Sequence, residues 1–76
     1  MIEYHESYAI IDKHIERCFN FWRSNPLNTS KEIIQNVYCD LCNLKYDPNT
    51  PKGDELDPKA IEDYKCQFKE RHGDYL

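Results

Sequence analysis

Between residues 4 and 23 the apolar positions Tyr4, Tyr8, Ile11, Ile15, Cys18, Phe19 and Trp22 recur at steps of three and four, which sets them along one side of an α-helix. No other stretch constrains the fold as tightly. Ile10, His14 and Phe21 form a second flank that widens the stripe beyond what one neighbouring helix covers. This helix must therefore pack against two others or present part of its surface to a partner, and a homodimer would suit the same surplus.

Ser24-Asn25-Pro26 ends that helix, because proline disfavours helical geometry at Asn25 and cannot continue the hydrogen-bond ladder. Thr29 or Ser30 can cap the next one, and Ile33, Ile34, Val37, Leu41 and Leu44 keep helical spacing as far as Tyr46. Residues 47–55 hold Pro48, Pro51 and Gly53 and read as a loop. Asp57-Pro58 then gives a cap followed by proline at the first helical position. Ile61, Tyr64 and Phe68 mark the buried side of a third helix, which Gly73 stops. The expected fold class is all-α, one small domain over residues 1–76 with helices at about 4–23, 30–46 and 58–72. A chain of 76 residues leaves no room for a multidomain enzyme, and domains this small often need a metal, a disulfide or a second subunit as a staple.

The four cysteines are thus the next feature to explain. Cys39 and Cys42 stand two residues apart, and if the chain folds back there both sulfurs reach one ion; Asn43 would take the positive φ that such a knuckle needs. The stretch Tyr38-Cys39-Asp40-Leu41-Cys42-Asn43-Leu44-Lys45-Tyr46-Asp47-Pro48 resembles the first knuckle of the rubredoxins in its Cys-x-x-Cys and Tyr-Asp-Pro, and more loosely in the later Gly53-Asp54. That resemblance covers about 16 residues. Rubredoxins carry a second Cys-x-x-Cys pair where this chain has only Cys66, so it does not extend to electron transfer. Cys39, Cys42, Cys66 and His72 are the candidate ligands of a structural Zn2+, in a knuckle around residues 38–47 that would shorten the second helix. Positions 66 and 72 lie roughly 120° apart on a regular helix, so His72 joins the set only if the third helix unwinds near Gly73. In the competing reading the second helix runs on, and Cys39 and Cys42 occupy the face opposite Ile33, Val37 and Leu44. Cys18 lies inside the first helix's stripe as a small core residue; His14, one turn before it, forms with it a His-x3-Cys pair on one face, a spacing that can bind metal.

Charge narrows the function classes. The net charge is −4, and residues 47–76 hold eight of the fourteen acids, so no basic stripe is present to neutralise a run of phosphates. Direct nucleic-acid binding is not expected, whereas a basic protein surface could be met. No apolar run approaches the roughly 20 residues of a membrane span, and the first residues lack the basic start and apolar stretch of a signal peptide, so a cytoplasmic location without membrane attachment is expected. A thiol oxidoreductase would place Cys-x-x-Cys after a strand at a helix start, and here no strand precedes it. Phosphate loops, hydrolase elbows and zinc-protease motifs are lacking too.

The expectation is accordingly a non-enzymatic protein-interaction module, an inhibitor, adaptor or regulatory subunit that docks on a larger protein through Ile10, His14 and Phe21. The alternative is a zinc-stabilised domain acting in nucleic-acid transactions, held together at Cys39, Cys42 and Cys66.

Overall fold

The computed structural model of the protein describes residues 2–50 and 53–76; Pro51 and Lys52 of the expected loop lie outside the described residues. Three helices follow in order: α1 over Tyr4–Arg23, α2 over Ser30–Cys42 and α3 over Pro58–His72, with a 3-10 turn at Gly73–Tyr75. Each helix packs on the other two. The expected all-α architecture of three helices is what the chain adopts.

The caps explain where the helices begin. Thr29 accepts the Glu32 N–H at 3.2 Å through its hydroxyl, and the Asp57 carboxylate accepts the Lys59 N–H at 2.9 Å, with Pro58 at the first helical position. At the other end of α1 the Asn28 side chain donates to the Trp22 carbonyl at 3.0 Å, one of the last-turn acceptors that the helix itself leaves open.

One boundary differs from the spacing. The helix expected to reach Tyr46 stops at Cys42, because the Leu44 N–H turns back onto the Leu41 carbonyl at 3.2 Å and the Lys45 carbonyl is taken by the Leu56 N–H at 3.0 Å. Leu44 is buried all the same. Its apolar side chain reaches the core from a turn, so the periodicity that extends the helix on paper is satisfied without one. Asn43 keeps φ at −93°, and among the described residues only Gly53 has a positive φ. The backbone over Tyr38–Cys42 is therefore helical and does not fold back as a knuckle would.

The core runs through all three helices, with Ile11, Val37, Leu41, Leu56 and Ala60 almost completely excluded from solvent. Aromatic rings seam α1 to α3: Tyr8 lies on Tyr64 with centroids 4.3 Å apart, and Phe68 meets Phe19 and Tyr38. Ile2, Leu44 and Leu56 close one end, where the Ile2 N–H donates to the Glu55 carbonyl at 3.0 Å. The assembly measures 37 × 24 × 16 Å, its thinnest dimension about one and a half helix diameters, so α1 cannot be covered all round.

Ser7 ties this closed end together. Fully buried, its hydroxyl accepts the Asp57 N–H at 2.8 Å and donates to the Ile2 carbonyl at 3.4 Å, joining the chain start, α1 and the cap of α3. Ser7→Ala leaves the Asp57 N–H without its partner, an expected loss of about 1–3 kcal/mol that urea unfolding would register. The tyrosine seam sets an alkaline limit. Tyr4 is pushed up from 10.0 to about 12 because it donates to the Asp63 carboxylate and is then further raised by desolvation. Tyr64 is raised by burial and then by Asp12. Folded values above the unfolded one mean that this stabilisation is whole below pH 10 and lost as pH rises through 12. Unfolding free energy should fall across that interval, and Tyr4→Phe should flatten part of the decline.

Candidate functional site

Asp47 follows the end of α2 by five residues and has a side chain with no exposed surface. Burying a carboxylate is unfavourable unless it is paired and hydrogen-bonded. Its Oδ1 accepts the Asn49 N–H at 3.0 Å, closing an Asx turn, and its carbonyl accepts the Thr50 hydroxyl at 2.7 Å and the Thr50 N–H at 2.8 Å. Its Oδ2 receives His14 Nδ1 at 3.1 Å and the Arg17 guanidinium, both from α1. The loop is thereby fastened to the middle of the first helix.

That clasp decides the state of His14. A carboxylate only accepts, so Nδ1 carries a proton, and Nε2 faces the Cys18 sulfur, 3.5 Å away. Cys18 lies in turn beside Asp40, a half-buried carboxylate that accepts Trp22 Nε1–H at 2.9 Å. The thiol is pushed up to about 11, first by burial and then by the charge and hydrogen bond of Asp40.

Above this row opens a groove of about 460 Å³ between α1, α2 and the following loop. His14, Cys18 and Asp40 line it, Leu44 and Pro48 are on its apolar side, and Phe21, 67% exposed, stands at its edge. The Phe21 ring is braced edge-on by Trp22 at 5.1 Å. Tyr46, half exposed, lines it as well. Further along the same helix flank, Ala9, Ile10, Lys13 and Asn49 border a smaller hollow of about 150 Å³. Positions 10, 14, 17 and 21 fall within about 60° of one another around a helix, so the three residues expected to meet a partner share one flank.

The residues considered as metal ligands are placed differently. Cys39 and Cys42 are exposed on the last turn of α2, where Cys39 Sγ meets the Asn43 amide at 3.6 Å. Cys66 is exposed on α3. His72 lies apart in the aromatic seam, its ring 4.7 Å from Phe68 and 6.2 Å from Phe19. Among the described residues no three His, Cys, Asp or Glu side chains are grouped to hold a metal ion.

No family model matches the chain, and neither curated proteins nor solved structures yield a match. No helix among the described residues is long and apolar enough to cross a membrane.

Asp47 and Asp40 are the site residues that sequence reasoning missed. The run Asp47-Pro48-Asn49-Thr50 does carry an Asx-turn signal. Nothing in it tells that the free face of the carboxylate will be buried against His14 and Arg17, which lie about thirty residues earlier. The thiols should separate cleanly by reactivity. In chelator at pH 8, iodoacetamide should label Cys39, Cys42 and Cys66 quickly and Cys18 at least tenfold more slowly, as peptide mass spectrometry would show; equal rates would contradict the burial and charge described for Cys18.

Proposed function

We propose that this protein is a small non-enzymatic interaction module, an inhibitor, adaptor or regulatory subunit, that docks on a larger protein through the outer flank of α1. The observation that carries this reading is Phe21, a braced aromatic ring exposed beside a largely apolar groove. Exposed aromatics beside a preformed pocket are the side chains that dominate binding energy at protein interfaces, because they bring large area with little rotamer entropy to lose. Ile10 and His14 extend the contact along the same flank. A net charge of −4 favours approach of a basic partner surface.

A catalytic use of the groove finds less support. Cys18, His14 and Asp47 stand in the order of nucleophile, base and orienting carboxylate. Asp40, however, opposes formation of the thiolate, and Cys18 sits in mid-helix, where backbone N–H groups are committed to helical bonds and cannot stabilise an oxyanion.

Phe21→Ala tests the reading. With helicity by circular dichroism unchanged, the variant immobilised on resin should retain its partner from host lysate at least tenfold more weakly than the wild-type chain, the size expected of an aromatic anchor. Leu27→Ala, at an even more exposed position outside the groove, should retain it normally. Equal retention by the Phe21 variant removes Phe21 from the interface.

A further inference from the structure

We propose that His14 and Cys18 are one half of a zinc site that a second copy of this chain completes, so that a single Zn2+ bridges a homodimer through two imidazoles and two thiolates. The inference stands on the geometry of these two side chains and goes beyond the docking reading.

Zinc bonds to sulfur at about 2.3 Å and to imidazole nitrogen at about 2.0–2.1 Å; across a tetrahedral angle those lengths put the two donors about 3.5 Å apart. His14 Nε2 and Cys18 Sγ are 3.5 Å apart. In the neutral imidazole the nitrogen that faces the sulfur is the one with the lone pair, because Nδ1–H is spent on Asp47. Carboxylate, imidazole and metal in that order is the usual outer support of a zinc-bound histidine. Asp47 is itself locked by Arg17 and the Asn49 N–H, so the ring is oriented before any metal arrives. The arrangement costs little to organise.

The donor count then calls for a second chain. No third His, Cys, Asp or Glu among the described residues completes a group around these two, whereas a closed structural zinc site takes four ligands. Both donors line an open groove, and His14 keeps a fifth of its side chain exposed, so a metal seated there still faces outward. A two-fold axis through the ion supplies the same pair again. Each Cys18 gives up its thiol proton to solvent on binding, and two thiolates cancel the charge of Zn2+, leaving a neutral centre between two acidic chains. Asp40, beside each sulfur, adds negative potential that favours the cation. Phe21 and Tyr46, both exposed and both lining the groove, would be covered by the second copy. Such a dimer buries the flank proposed for docking, and it would be the form closed to a larger partner.

The probe is zinc chloride added to the purified, chelator-treated chain, read by native mass spectrometry and light scattering. The wild-type chain and a variant carrying Cys39→Ser, Cys42→Ser and Cys66→Ser together should both take up one zinc per two chains and become dimers that chelator returns to monomers. Cys18→Ser and His14→Gln should stay monomeric with unchanged helicity. In the triple variant Cys18 is the sole thiol, so cobalt(II) substituted there should show thiolate-to-metal charge transfer saturating at one metal per two chains, a readout that needs no change at the site itself. Zinc held one to one by a monomer, a dimer that survives chelator, zinc lost from the triple variant but kept by Cys18→Ser, or no uptake would each overturn the proposal. None of these readouts uses the larger partner, so failure here and failure of the docking reading are told apart.

Discussion

A carboxylate without solvent must be answered by the protein around it, and Asp47 is answered from two directions. Its own turn supplies a backbone N–H, and α1 supplies an imidazole and a guanidinium. Among the described residues this clasp ties the middle of α1 to the segment after α2, whose backbone also bonds through the Leu44 N–H to Leu41 and through the Lys45 carbonyl to the Leu56 N–H. The fastening of the loop to α1, the proton on His14 Nδ1 and the direction in which Nε2 points all follow from it.

The flatness of the molecule does the rest. Three helices in mutual contact form a slab 16 Å thin, and the longest of them carries more apolar and aromatic surface than two neighbours can cover. Part of the surplus is absorbed: Ile10 and Trp22 pack partly against the core, and the Trp22 indole is satisfied by Asp40. Phe21 is not absorbed. The same flank brings together an exposed ring, an imidazole held by Asp47 and a thiol, and the docking proposal rests on that conjunction.

Much of this was legible from spacing alone. The first and third helices occupy the residues that their apolar repeats predict, Thr29, one of two candidates with Ser30, and Asp57 act as caps, and Phe21 lies outside the core as its place on the wheel implies. The end of α2 was not legible, since Leu44 satisfies a helical pattern and is buried from a turn. Ser7 was not legible either: a serine inside an aromatic stripe gives no local sign that it will hold the Asp57 N–H fifty residues away. Cys18 reads from sequence as a small core residue, and it does pack against the core, yet to the effect of burial on its thiol is added that of Asp40 on another helix.

Local order is written in the sequence because it depends on neighbours three or four residues away: where helices start, which side is apolar, which flank is left over. That determined the all-α class and the candidate flank Ile10, His14 and Phe21. The pairing of groups separated by about twenty to sixty positions, Asp47 with His14 and Arg17, Asp40 with Trp22, Ser7 with Asp57, Tyr4 with Asp63, was decided only by the tertiary structure. A hydrogen bond is satisfied or orphaned over a fraction of an ångström, and only the packed core sets distances to that tolerance.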